Sequence, residues 1–487
     1  MSEAPAWLAG ADRSAPWPSL SVLVAGIGVS GFAAADALLQ LGASVTVVDA
    51  KDGPGERDRA SLLEILGAQV RLGPDAPQAV PTGTQLVVTS PGWPPAAPLL
   101  AGAAAAGIPI WGEVELAWRL RADPNVPWLV VTGTNGKTTA VRMLASMLTA
   151  AGLRAPAAGN VGTPLLEVVA AAEPAPDVLA VELSSFQLHW SSSIRAHSAA
   201  VLNVAPDHLD WHGSIEDYAA AKGKAYQGSR IACVYNVADP ATEALVRAAE
   251  VEPGCRAIGF TLGLPAPGMV GIVDDYLVDR AFVAERATAA AELATRADVV
   301  PAAPHNLANA LAAAALARAF GVSPRAVRDG LRAFRPDPHR IALVATVAGV
   351  DYVDDSKATN PHAAAASIQA YDRVVWIAGG LAKGASFDEL VSTAKDRLRA
   401  VILIGADRAA IADALARHAP DVPVVTVART DTEVMDEVVA QAGRLARPGD
   451  TVLLAPAAAS MDIFANYGVR GDRFAAAVAR LRTARGG

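Results

Sequence analysis

The stretch Val130-Val131-Thr132-Gly133-Thr134-Asn135-Gly136-Lys137-Thr138-Thr139 is the strongest local signal in the chain. Residues 128–131 read as a buried strand and a helix follows, so the two glycines fall on a strand-to-helix turn. Glycine lets a backbone curl around phosphate and the helix N-terminus faces the anion. Lys137 can then reach that anion, and Thr138 can hold Mg²⁺. The spacing is G-x-x-G-K-T, two residues tighter than the usual P-loop, with Val131 where a first glycine would stand. A Gly-rich turn with a surface lysine is the bland alternative, and the Lys-Thr pair on a strand-helix junction argues against it.

On either side of it, apolar runs of strand length alternate with Ala-rich helical stretches. The runs are 22–25, 45–49, 86–89, 128–131, 178–181, 200–202, 374–377, 401–404, 424–427 and 452–454. Continuous rather than alternating apolarity favours parallel strands covered on both faces, which predicts an α/β architecture of doubly wound units. Two Pro-rich breaks, Arg121-Ala122-Asp123-Pro124-Asn125-Val126-Pro127 and Phe334-Arg335-Pro336-Asp337-Pro338-His339, divide the chain. The expected domains are 1–123 (Rossmann-like), 124–337 (the central P-loop domain, with a parallel sheet) and 338–487 (Rossmann-like again). Short linkers at both breaks suit hinge motion.

At 487 residues the chain is too long for one core, and at roughly 150 residues per domain about three domains are expected. Hydrophobic residues make up 52% and charged residues 18%, so sizeable cores can form. A net charge of −8 argues against a nucleic-acid binder. Two cysteines without metal spacing, Cys233 and Cys255, fit a reducing cytoplasm. The uncharged stretch 84–112 is broken by Pro91, Pro94, Pro95, Pro98 and Pro109. It reads as a strand, a loop and a short helix rather than a membrane span. The N-terminus lacks a basic segment followed by an apolar one, so secretion is not expected.

Other chemistry-bearing residues fall at strand ends. Gly26-Ile27-Gly28-Val29-Ser30-Gly31 follows the first strand, and Asp49 ends the second, matching a dinucleotide fingerprint. Alone, that pattern proves only a close-packed turn, and it keeps an NAD-dependent dehydrogenase open. Glu182 closes the run 178–181 and is well placed for Mg²⁺. Asp207-His208-Leu209-Asp210 follows the run 200–202, and Asn160 lies in Gly159-Asn160-Val161-Gly162. Each could be a helix cap or a solvated loop residue; their joint placement after strands of one sheet favours a site.

With those motifs in view, the sequence resembles the Mur ligase family along nearly its whole length. The resemblance rests on the P-loop, Gly159 to Gly162, Glu182-Leu183-Ser184-Ser185-Phe186-Gln187-Leu188, Asp207 to Asp210 and Tyr218-Ala219-Ala220-Ala221-Lys222. It continues through His305-Asn306-Leu307-Ala308-Asn309-Ala310, His339-Arg340, Asp355-Ser356-Lys357-Ala358-Thr359-Asn360 and Ser460-Met461-Asp462. The P-loop and His-Asn motif are shared with folylpolyglutamate ligases; the runs at 184–188 and 355–360 are specific to the D-glutamate-adding branch. The resemblance implies an ATP-dependent ligase adding D-glutamate to UDP-N-acetylmuramoyl-L-alanine through an acyl phosphate.

It also implies roles. Gly133, Thr134, Asn135, Gly136, Lys137, Thr138 and Thr139 would hold ATP phosphates. Asn306 and Asn309 would meet the adenine side, Asp355 the ribose and Arg340 the phosphates. Thr138 and Glu182 would bind one Mg²⁺ and His208 a second, with Lys222 carrying a CO₂-derived carbamate as a metal ligand. Gly28, Val29, Ser30, Asp49, Ser90, Pro91 and Gly92 would bind the UDP group, with Asn160 near the acceptor. Lys357, Thr359, Lys383, Ser460 and Tyr467 would line the D-glutamate pocket, and Lys137, His208, Lys222 and Arg340 would carry the catalysis. Ala342, Leu381 and Tyr467 depart from the family pattern, which leaves the supporting contacts there open. The expected partners are small molecules only, handled by a cytoplasmic monomer.

Overall fold

The computed structural model describes residues 4–170 and 175–484 and contains three sheets flanked by helices. All ten apolar runs coincide with strands to within three residues. The first sheet comprises β1 (Ser21–Ala25), β2 (Ser44–Asp49), β3 (Gln69–Leu72), β4 (Leu86–Thr89) and β5 (Ile110–Gly112). It is parallel throughout, in the order β3-β2-β1-β4-β5. The order reverses between β1 and β4, so the turns leaving those strands, Gly26 onward and Ser90 onward, open on one crevice.

The second sheet holds β6 (Trp128–Thr132), β7 (Ala157–Gly159), β8 (Leu179–Glu182), β9 (Ser198–Val201), β10 (Ala232–Asn236) and β11 (Arg256–Phe260). It continues with β12 (Met269–Val273), β13 (Tyr276–Asp279) and β14 (Ala291–Thr295), in the order β14-β13-β12-β11-β10-β9-β6-β8-β7. The expectation of a parallel sheet holds from β7 to β12 and fails beyond it. β12, β13 and β14 pair antiparallel because Asp274-Asp275 connects the first two as a tight turn, too short for a parallel crossover. The third sheet is β15 (Ala342–Val347), β16 (Val350–Asp354), β17 (Val374–Gly379), β18 (Leu398–Ile404), β19 (Val424–Thr426) and β20 (Thr451–Leu454). Its order is β15-β16-β20-β17-β18-β19, and β15 and β16 again form an antiparallel hairpin.

Two compact units result: Met1–Val299 with Leu307–Phe334, and Val300–Asn306 with Arg335–Gly487. The first two sheets share one unit because a single core joins them, running from Val22, Val45 and Trp111 to Trp128, Val181 and Cys233. Two buried carboxylates on the helix Glu113–Arg119 reinforce the junction. Glu113 accepts from the Leu166 amide at 2.9 Å, and Glu115 accepts from the Ser192 and Ser193 amides at 2.8 and 3.0 Å. The break at 121–127, which the sequence suggests as a hinge, is therefore bridged by a packed junction. In the other unit, apolar clusters cover both faces of the third sheet. Trp376 is fully buried there and its Nε1 donates to the Ala455 carbonyl at 2.7 Å. Truncating it to alanine would cost about 3–5 kcal/mol.

Candidate active site

β6 delivers the P-loop to the edge of the second sheet between its neighbours β9 and β8. Gly133 and Gly136 have φ of 155° and 85°, and a Cβ on Gly136 would lie 2.2 Å from Asn309 Oδ1, so only glycine fits that turn. Asn203, just beyond β9, clamps the loop: its carbonyl accepts from the Thr134 amide at 3.0 Å and its Oδ1 from the Asn135 amide at 2.8 Å. The Thr134 hydroxyl points inward, donating to the Ala205 carbonyl at 3.1 Å and accepting from Tyr218 at 3.0 Å. Thr134 thus shapes the loop with its side chain. The helix Lys137–Ala150 then starts with Lys137, Thr138 and Thr139 in its first turn and buries Val141, Leu144 and Leu148.

Lys137 Nζ donates to the carbonyls of Gly133 and Thr134, at 2.8 Å each. Lys222, on the helix Ile215–Gly223, also reaches the Gly133 carbonyl at 2.8 Å. Its ammonium is almost wholly buried, 4.3 Å from the Tyr218 ring. Burial, then the Lys137 charge, hold its pKa well below the ordinary lysine value, while Asp207 opposes the shift.

Glu182, the last residue of β8, is buried. Its Oε1 accepts from Asn160 Nδ2 at 2.8 Å, and its Oε2 has no protein partner. A buried, unsatisfied carboxylate oxygen beside a phosphate loop fits a hard cation. Asn160 therefore sits behind Glu182, with its own amide on the Glu182 carbonyl at 2.9 Å. His208 has left-handed backbone, φ 54°, and its ring meets Phe186 edge-on at 4.8 Å. Among the described residues, no three His, Cys, Asp or Glu side chains form a metal cluster. A cation at Glu182 would draw further oxygens from Thr138 and the nucleotide phosphates.

At the crevice of the first sheet, Asp49 accepts from the Ile27 amide at 2.8 Å and the Lys51 amide at 2.9 Å. The carboxylate thus holds the glycine turn in shape. Gly28 has open space where a Cβ would stand, Val29 is exposed, and the buried Ser90 Oγ lacks a protein partner. Pro91 and Gly92 continue the turn from Ser90.

In the second unit, adjacent strands β16, β20 and β17 lead into the loops bearing Lys357 and Thr359, Ser460, and Lys383. Leu381 and Ala459 exchange backbone hydrogen bonds of 2.8 and 3.0 Å, which fixes the Lys383 and Ser460 loops side by side whatever side chain stands at 381. Lys357 Nζ lies 3.9 Å from the Tyr467 ring, and the Tyr467 carbonyl accepts from Ser356 Oγ at 2.7 Å. Asp355 is buried, bonded to Ser367 and to the Ile341 amide, and burial raises its pKa to about 6. Arg340 lies 3.8 Å from Asp337, and Asn306 donates to the Pro301 carbonyl at 3.2 Å.

Sequence reasoning missed Asn203 and Arg470. The buried Arg470 guanidinium donates to Ser356 Oγ at 3.0 Å, to its carbonyl at 2.9 Å and to the Ala458 carbonyl at 3.1 Å. Burial lowers its pKa to about 10. The available signal was an arginine in register with Phe474, Ala477 and Val478 on the helix Tyr467–Ala484.

A P-loop whose neighbouring strand ends in an unsatisfied carboxylate defines a nucleoside-triphosphate-using enzyme. Models of the Mur ligase middle domain, the Mur ligase glutamate ligase domain and the MurD-like N-terminal domain match residues 131–317, 339–458 and 20–112. The chain is 67% identical to a UDP-N-acetylmuramoylalanine–D-glutamate ligase of Streptomyces avermitilis, over 96% of this chain and 99% of that one. It is 49% identical to the ligase of the same name from Mycolicibacterium smegmatis, over 95% and 97%. The solved UDP-N-acetylmuramate–alanine ligase of Thermotoga maritima shares the fold, with a TM-score of 0.55 at 17% identity, covering 96% of this chain and all of that one. The chain belongs to the Mur ligase family, in its UDP-N-acetylmuramoylalanine–D-glutamate ligase branch.

Proposed function

We propose that this chain is the ATP-dependent ligase that joins D-glutamate to UDP-N-acetylmuramoyl-L-alanine in peptidoglycan precursor synthesis. The observation that carries the chemistry is the unsatisfied Glu182 Oε2 at the edge of a P-loop held by Lys137. The specificity rests on the likeness to relatives of that name over nearly the whole chain.

The L-alanine carboxylate attacks the γ-phosphorus, and the bond to the bridging oxygen breaks to release ADP. The D-glutamate nitrogen then attacks the acyl carbon, phosphate leaves with the bonding electrons, and the nitrogen sheds a proton. Such phosphoryl transfer needs positioning and charge neutralisation above all. Lys137, the loop amides and Arg340 would hold the phosphates, Asn306 and Asn309 would meet the adenine side, and Asp355 the ribose. Mg²⁺ would supply charge neutralisation, held by Glu182 and Thr138, with His208 for a second ion. Lys357, Thr359, Lys383, Ser460 and Tyr467 would hold D-glutamate, and the crevice of the first sheet the uridine nucleotide.

Burial disfavours the ammonium form of Lys222, and its free amine form can attack CO₂, forming an N–C bond and releasing one proton. That reading makes Lys222 a carbamate, an oxygen donor beside the phosphates instead of a repelled ammonium. In this reading 1–123 is the UDP-binding domain, 124–337 the ATP-binding domain and 338–487 the amino-acid-binding domain. Among the described residues no helix is long and apolar enough to cross a membrane. A cytoplasmic, monomeric enzyme is part of the same proposal.

Phosphate release tests the reading. It should require ATP, UDP-N-acetylmuramoyl-L-alanine and D-glutamate together, and Lys137→Ala should lower it on the order of 10²–10³-fold. Near-normal turnover in a folded Lys137→Ala protein would remove the P-loop from the mechanism.

A further inference from the structure

The two arms that bear Glu182 and His208 are tied to each other at one polar contact. Ser185, three residues beyond Glu182, is buried, and its Oγ lies 3.0 Å from His212 Nε2. His212 is one helical turn beyond His208, whose carbonyl accepts the His212 amide at 3.1 Å. The His212 ring stacks on Phe186 at 5.6 Å with only 10° between the planes, and Phe186 in turn meets the His208 ring. Trp211 and Tyr218 close the cluster around it. Aromatic packing alone would let the arms slide, because stacked rings define no single register. One directional hydrogen bond between a buried hydroxyl and a half-buried ring nitrogen removes that freedom.

We propose that Ser185 and His212 are a positioning pair that sets the gap between Glu182 and His208 and so tunes divalent-cation affinity. The inference rests on the reading of Glu182 and His208 as cation arms. It assigns the pair no contact with substrate. Outer-shell partners of metal ligands commonly change metal affinity by 10–100-fold when removed.

The test is Mn²⁺ titration of the full chain with a non-hydrolysable ATP analogue, counting free Mn²⁺ by electron paramagnetic resonance. The proteins are the parent, Ser185→Ala, His212→Phe (which keeps the stacking), the double variant and Glu182→Ala. Each single variant of the pair should weaken Mn²⁺ roughly tenfold, and the double variant should be no weaker than either, because both remove the same tie. His212→Gln, whose amide nitrogen can stand near Nε2, should recover part of the loss. Parent-like Mn²⁺ binding in Ser185→Ala, with binding lost in Glu182→Ala, would overturn the pair alone. Parent-like binding in Glu182→Ala as well would overturn both the pair and the cation arms. Should His212→Phe fail to fold, Ser185→Ala decides the matter by itself.

Discussion

Lys137 and Lys222 donate to the same acceptor, the carbonyl oxygen of Gly133, each at 2.8 Å. Two ammonium groups on one carbonyl repel each other, and the more deeply buried Lys222 is the one driven toward its neutral form. Burial and the neighbouring Lys137 charge thus both disfavour the ammonium form of Lys222.

From that relationship, Lys222→Ala should be nearly inactive, and a small carboxylate added to the buffer should restore part of the activity. Enzyme equilibrated with ¹³C-labelled CO₂ should show a carbamate carbon signal that is absent from Lys222→Ala. A fully active Lys222→Ala, or a parent without the signal, would contradict the carbamate.

The junction between the first two sheets should make stability pH-dependent. Burial raises the Glu113 pKa from 4.5 to about 7. A raised folded-state pKa contributes stability below pH 4.5, and that contribution is lost as pH rises through about 7. In Glu113→Gln this slope should vanish while the hydrogen bond from the Leu166 amide can persist. Near pH 7.5 the variant should be the more stable, by about 1–3 kcal/mol. Melting curves of the two proteins from pH 5 to 8 check this; parallel curves would show that Glu113 does not titrate there.

Asp49 holds the Ile27 and Lys51 amides, so its removal should loosen the glycine turn as well as any nucleotide bound there. Asp49→Ala should cost about 1–3 kcal/mol of stability and raise KM for the UDP-linked acceptor, with KM for ATP little changed. A change confined to ATP would place the uridine nucleotide elsewhere.

The parallel parts of the fold were legible because their strands are buried on both faces and read as unbroken apolar runs, as in β1, β4 and β6. Among the strands absent from those runs, β10 and β12 are apolar and largely buried, while others lack that signature. β15 mixes half-buried and exposed residues with only its last one buried, and β3 has Gln69 and Arg71 facing solvent. The antiparallel β12 to β14 are joined by turns that no glycine or proline announces at Asp274-Asp275. In the site, residues that act through charge at a motif, such as Lys137 and Glu182, could be named from spacing alone. Asn203, Arg470 and the Ser185–His212 tie could not, because each works through a partner far away in sequence: Asn135, Ser356 and one another across 27 positions.

The amide this chain makes joins D-glutamate to UDP-N-acetylmuramoyl-L-alanine. A pocket built for both carboxylates of D-glutamate leaves polar groups unpaired when a substrate lacks one of them, and the mirror-image centre of L-glutamate misplaces the amine. The deciding measurement is amide formation from UDP-N-acetylmuramoyl-L-alanine and ATP with D-glutamate, L-glutamate, D-alanine or meso-diaminopimelate. Product should form with D-glutamate alone, and Lys383→Ala should raise KM for D-glutamate far more than for ATP. Preferential use of diaminopimelate, or of a folate in place of the UDP-linked acceptor, would contradict it.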